Sequence, residues 1–285
     1  MASKLDEVRA LTEIGRTGAD QVTYRAVIDP VFTIGPKVHG GSLQMIVARA
    51  ARRALADLTP ADDPRASDAV TKIPVAISSD YLVAPDAAEI DFVVTIRKRG
   101  RTVTVLTVDA VQQGRTVVSS SVTMAHADSG PSHHSSPSVL DDSPVEPPAD
   151  GISVEGSPIA DVIHLGPALD MVLDPATFPL VRGEKGEPVV IGWVRPKEAE
   201  PDIEFAVLVG DISPPVVMNL AIFGWAPTVQ LTTYLRRHPA PGWLRFAASS
   251  TEVGPGMFEE DHLVVDSTGA VVAQTRQLAL IPAAQ

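Results

Sequence analysis

Apolar and polar positions alternate with two different periods along this chain, and the switches between them outline its elements. Four runs rich in Val, Ile and Thr occupy residues 73–82, 88–98, 102–112 and 116–126. They are separated by Ala84-Pro85-Asp86, Arg99-Gly100-Arg101 and Gln113-Gly114-Arg115, turn-forming triplets that recur about every ten residues. β-branched runs punctuated in this way predict an antiparallel meander. Ahead of it, Leu43, Ile46, Val47, Ala50, Ala54, Leu55 and Leu58 fall on one face of a helix over 42–59, with Arg49, Arg52 and Arg53 turned towards the other. Residues 21–28 alternate as a strand. The three-residue spacing of Leu5, Val8, Leu11 and Ile14 predicts a short amphipathic helix at the edge of the first domain.

The composition then changes. Residues 127–158 are dominated by Ser, Pro, Asp and His, with too few apolar side chains to offset the entropy of ordering, so they read as a linker or long crossover. His133-His134 reads as a solvated pair, because no further ligands lie close by in sequence. Beyond the linker the first pattern returns. The run from Gly114 matches the run from Gly269, the turn at Gly100 matches Gly254-Pro255-Gly256, and the segment from Ile77 matches that from Leu231. A helix-then-meander unit that occurs twice predicts an α+β protein built by internal duplication. Its domains are expected over 1–126 and 159–285, joined by the linker 127–158.

Bulk properties narrow the function. The 285 residues, 45% hydrophobic and 20% charged, suit a soluble globular protein. A net charge of −12 argues against non-specific nucleic-acid binding and adsorption to anionic membranes. With no cysteine, disulfides, thiolate metal sites and a cysteine nucleophile are excluded. No signal sequence or membrane-spanning run is evident, so no membrane insertion is expected and a cytoplasmic location is the default.

Three polar residues stand out in the second half. Asp211 sits between apolar segments, just before the break Ser213-Pro214-Pro215. It is either a solvated helix-end residue or a carboxylate in an apolar setting, whose raised pKa would suit a general base. Thr228 opens a strand, where threonine is common anyway. Gln277 shares a strand face with Ala273, Thr275, Ala279 and Ile281 and would need a polar partner there.

The segments 205–234 and 269–282 resemble the second half of TesB-like acyl-CoA thioesterases, through Val209-Gly210-Asp211, Thr228 and the Gln277 of Ala273-Gln274-Thr275-Arg276-Gln277. The resemblance implies a double hotdog fold, in which each helix is wrapped by a curved antiparallel sheet. It further implies that Asp211, Thr228 and Gln277 hold the water that attacks an acyl-CoA thioester, as part of fatty acid metabolism and without cofactor or metal. Gly40-Gly41, immediately before the long helix, are the candidates for binding the oxyanion, since a helix N-terminus offers N–H groups and glycine permits close approach. His39 beside them could touch substrate or make a local structural bond. Arg97, Arg99, Arg101, Arg236 and Arg237 are the candidates for the CoA phosphates.

The first repeat lacks the trio, with Val122 at the position of Gln277 and Ile73 near that of Thr228, so one site per chain is expected. The two sheets should join edge to edge, and a broad apolar sheet surface should drive homo-oligomers. A non-catalytic acyl-binding double hotdog and a hydratase-type enzyme are the alternatives. Asp29 and His39 are too far apart for the hydratase pattern, and no Gly-x-Ser-x-Gly elbow is present.

Overall fold

A computed structural model describes residues 2–282. The first half comprises α1 (Lys4–Val8), β1 (Thr12–Thr17), β2 (Gln21–Val27), a two-strand ribbon of β3 (Thr33–Ile34) and β4 (Lys37–Val38), α2 (Gly40–Asp57), α3 (Ala66–Thr71), β5 (Ile73–Tyr81), β6 (Glu89–Lys98), β7 (Thr104–Gln112) and β8 (Arg115–Ala125). The second half comprises β9 (Ile152–Ser153), β10 (Leu169–Leu173), β11 (Val189–Pro196), α4 (Ile203–Val209), β12 (Thr228–Leu235), β13 (Leu244–Ser249), β14 (Met257–Val265) and β15 (Val271–Leu280).

All strands except the ribbon join one antiparallel sheet in the order β1-β2-β6-β7-β8-β5-β12-β15-β14-β13-β11-β10-β9. The order is that of two similar sheets meeting at β5 and β12, whose pairing runs from Gln230↔Asp80 to Tyr234↔Ala76. An edge strand carries unpaired N–H and C=O groups, and this junction satisfies both edges at once. The register also confirms the internal repeat. Ile77 pairs with Val122 in the first half, as Leu231 pairs with Gln277 in the second, so Val122 is the counterpart of Gln277.

The sheet curls around two helices that pack on each other. α2 buries Leu43, Ile46, Val47, Ala50, Ala51 and Ala54 against β5 to β8 and α4, and every residue of α4 is buried. Asp202 caps α4 by accepting from Phe205 N–H at 2.7 Å. Glu204, 1% exposed, takes a bond from Arg52 of α2 at 2.6 Å and lies 3.6 Å from Arg9 after α1. The polar face of α2 is thus partly spent on holding its partner helix.

Two expectations need correction, and a third gains detail. The N-terminal helix stops at Val8, with Leu5 and Val8 buried, while Ile14 belongs to β1 and is 45% exposed. A three-residue spacing cannot distinguish a continuing helix from a turn followed by a strand, and the free edge of β2 offers β1 a full row of backbone partners. The segment 127–158 is the expected crossover, a strap exposed over most of its length and pinned to the second half at a few points. Leu140 is 1% exposed among Ile191, Trp193 and Trp243, and Trp193 Nε1 donates to Pro144 O at 2.8 Å. One well-placed leucine and a set of backbone carbonyls do what average composition does not reveal. Finally, the outer face along the junction is polar, with Ser78 bonded to Thr232 and Ser119 to Asp109. Exposed Leu82, Phe223, Trp225, Val229, Met257 and Leu280 gather instead at the strand ends beside Thr228.

Candidate active site

The N-terminus of α2 meets the C-terminus of α4, and Asp211 lies at that meeting point. α4 ends at Val209 with Gly210 as its cap, so Asp211 follows the helix rather than sitting within it. Its side chain is folded inward and the residue is only 8% exposed, which rules out the solvated helix-end role. Asp211 Oδ2 accepts from Gly41 N–H at 2.7 Å. No Lys or Arg forms an ion pair with it among the described residues, and burial pushes its pKa up to about 7, against a smaller lowering by the Gly41 bond.

Both glycines are required by this approach. A Cβ on Gly41 would stand 2.7 Å from Leu208 O and 2.9 Å from Asp211 Cβ, and one on Gly40 would meet Asp211 Oδ2 at 2.8 Å. Gly41 N–H is therefore engaged by Asp211, Ser42 N–H is capped by His39 Nδ1 at 3.2 Å, and Leu43 N–H bonds His39 O. Gly40 N–H remains as the first-turn amide for an incoming oxygen. His39 makes the structural bond: Nδ1 accepts from Ser42 N–H, so Nε2 carries the proton and donates to Asp211 O at 2.6 Å. Burial holds its pKa down to about 4, leaving the ring neutral.

Thr228 and Gln277 converge. Thr228 Oγ1 donates to Gln277 Oε1 at 2.9 Å, across the bulge that interrupts the β12–β15 register. Neither is bonded directly to Asp211. The link runs through Thr275, two residues from Gln277 on the same strand face, whose hydroxyl donates to Gly210 O beside Asp211.

Glu260, His262 and Tyr81 also belong to the site, and the sequence reading passed over them. Glu260 is 1% exposed and directly opposite Gln277. Its carboxylate accepts from Ser213 Oγ at 2.7 Å and Val216 N–H at 3.1 Å, and burial raises its pKa to about 7. His262 Nε2 lies 3.1 Å from Ser213 Oγ, and burial depresses its pKa to about 3. Tyr81 O–H donates to Gly40 O at 2.8 Å. The signal for the first two was available: Phe258, Glu260, His262 and Val264 share one phase of β14, which puts an acid and an imidazole on an apolar face.

The five arginines lie elsewhere. Arg99 donates to Leu58 O at 3.0 Å and to Asp20, at the C-terminal end of α2. The 18 residues of α2 place that end roughly 27 Å from Gly40. Arg97 and Arg101 flank the same turn, and Arg236 and Arg237 follow the end of β12 opposite to Thr228. Within one chain none of them lines the site.

Comparison with known proteins agrees with this anatomy. Residues 28–125 match the acyl-CoA thioesterase N-terminal domain and residues 140–281 the acyl-CoA thioesterase C-terminal domain. An uncharacterized protein of Mycobacterium tuberculosis is 41% identical over 276 residues, covering 91% of each chain. A candidate thioesterase II of Thermobifida fusca superposes with a TM-score of 0.78 at 25% identity, over 99% of this chain and 98% of that one. An acyl-CoA thioesterase II of Mycobacterium marinum shares the fold with a TM-score of 0.69 at 18% identity, over 99% of both chains. With both halves matched, in their order and around one helix-end site, the chain belongs to the TesB-like acyl-CoA thioesterase family of double hotdog proteins.

Proposed function

We propose that this protein hydrolyses acyl-CoA thioesters with a water molecule held between Asp211, Thr228 and Gln277. The observation that carries the reading is a buried carboxylate, without a Lys or Arg partner among the described residues, next to a helix N-terminus and joined through Thr275 to the strand that carries a hydroxyl–amide pair. A pKa near 7 lets Asp211 accept a proton from water and later release it at neutral pH. The water oxygen attacks the thioester carbon while one of its protons passes to Asp211. The carbonyl oxygen takes up negative charge against Gly40 N–H and the positive end of α2. When the C–S bond breaks, that proton goes to the departing thiolate, giving free acid and CoA. The hydratase alternative loses ground, because Asp29 is bonded to Lys4 and Val31 N–H and His39 Nε2 is occupied by Asp211 O.

The CoA phosphates need cations, and the arginine candidates sit at the far end of the same chain. Their use therefore calls for a second copy, which keeps a homo-oligomer within the proposal. The test is free-thiol release from acyl-CoAs of graded length. Asp211→Asn should lower kcat roughly a hundredfold or more, the scale of a lost general base, and Thr228→Val and Gln277→Ala should cost less. Double variants should be non-additive. Hydrolysis that survives Asp211→Asn would overturn the mechanism, and binding of acyl-CoA without thiol release would favour a non-catalytic acyl carrier.

A further inference from the structure

We propose that Glu260 is a positioning residue that fixes the orientation of the Gln277 amide, and thereby makes Thr228 an acceptor rather than a donor towards the attacking water. The inference rests on the hydrolytic reading above and adds a group to it. An amide can be turned end for end at little cost unless a neighbour distinguishes its oxygen from its nitrogen. Here Gln277 Oε1 accepts from Thr228 Oγ1 at 2.9 Å, which turns the NH2 end elsewhere. Glu260 stands directly across the β14–β15 ladder, so the two buried side chains lie on one face of the sheet, where a carboxylate attracts the NH2 end of the amide and repels its oxygen.

The chain of donors is therefore directional: Thr228 O–H to Gln277 Oε1, then the Gln277 NH2 end towards Glu260. Thr228 has spent its proton, and its oxygen is left with lone pairs that can hold one hydrogen of water. Asp211 takes the other hydrogen, and a water lone pair stays free for attack. With the amide reversed, Gln277 would donate to Thr228, whose own proton would then fall on the water lone pair needed for the reaction.

Glu260 is equipped for this discrimination because it can only accept while ionised. Its two oxygens already receive Ser213 O–H and Val216 N–H, both from the segment that follows Asp211. One carboxylate thus ties the Asp211 segment to the strand facing Gln277. The charged and titratable groups around it are Asp211 after α4, His262 on its own strand with Nε2 at 3.4 Å, and His39 at the start of α2, which acts on His262. Asp261 points to the outer face, paired with Arg276. Among the described residues no Lys or Arg pairs with Glu260.

Glu260→Gln tests this, because it keeps the shape and puts an N–H2 where three donors converge. It should lower kcat roughly 10- to 30-fold with KM changed less than about twofold, a loss of orientation rather than of binding. In a Thr228→Val background the same substitution should cost almost nothing further, since no hydroxyl remains to orient. The wild type supplies a measurement that needs no variant. From about pH 7 down to about pH 6 its kcat should fall more steeply than one decade per pH unit, because protonation of Glu260 adds its own 10- to 30-fold loss to that from Asp211. In Glu260→Gln the slope should return to one.

Wild-type turnover in Glu260→Gln, an undiminished cost in the Thr228→Val background, or a wild-type slope of one would each overturn the assignment to Glu260 and leave the Asp211 mechanism standing. A wild type that releases no thiol from any acyl-CoA would overturn both. Should Glu260→Gln fail to fold, the wild-type slope decides.

Discussion

A carboxylate buried without a counter-charge makes stability and activity depend on pH in opposite senses, and Asp211 is such a group. Its folded pKa, near 7, lies above the unfolded value of 3.8, so its contribution is full below about pH 4 and is lost as pH rises towards 7. The scale is roughly 1.4 kcal/mol per pH unit of that interval. His39 and His262 act the other way, since burial lowers their pKa values to about 4 and about 3. Their contribution is present above about 6.5 and is lost as pH falls towards the folded values. Glu260, raised by burial from 4.5 to about 7, acts in the same sense as Asp211, so across about pH 4.5 to 6.5 two acids oppose two imidazoles and the wild-type melting temperature should vary little there on their account. Asp211→Asn removes one of the two acids from that balance while keeping an acceptor for Gly41 N–H. Differential scanning calorimetry should show it near wild type at pH 4 and progressively more stable than wild type up to pH 8. The same substitution expected to cut kcat should thus raise the melting temperature, whereas a purely structural Asp211 would lose both.

Among the elements, the first turn of α2 concentrates the constraints. Substituting the two glycines should separate two effects that are otherwise confounded. Gly41→Ala drives a Cβ into the fixed carbonyl of Leu208, so it should cost about 1–3 kcal/mol of stability together with activity. Gly40→Ala meets the tip of Asp211, a side-chain end that can move, so turnover should suffer far more than chemical-denaturation stability. Helix α2 and β5 to β8 were legible in the sequence to within two residues at each boundary, because a long amphipathic period and four β-branched runs leave little choice. The start of the chain was not, since Leu5, Val8, Leu11 and Ile14 fit a helix until a free strand edge competes for their backbone. Asp211, Thr228 and Gln277 could be named from motif resemblance. The phase of β14 marks Glu260 as an acid on an apolar face, but its role could not be read there, because that depends on lying opposite Gln277, a strand pairing that no local window contains.

Over the whole molecule, the strap and the β5–β12 junction decide how the halves are held. Leu140→Ala should cost about 2–3 kcal/mol, the lower part of the usual range for a buried leucine at a site that can partly collapse, with turnover unchanged. The arginine geometry adds an expectation: light scattering at micromolar concentration should show more than one chain per particle, and charge reversal at Arg236 and Arg237 should raise KM for acyl-CoA in the assembled form alone. The junction has an effect on kinetics as well. Gly40, Gly41 and Tyr81 come from one half, and Asp211, Thr228, Glu260 and Gln277 from the other. Nicking the chain in the exposed stretch ahead of Leu140 would leave two polypeptides, each with part of a catalyst. Dilution at saturating acyl-CoA should then make the initial rate fall with the square of concentration, where the intact chain falls linearly. A chain cut there would report, through thiol release, the affinity of one half-sheet for the other.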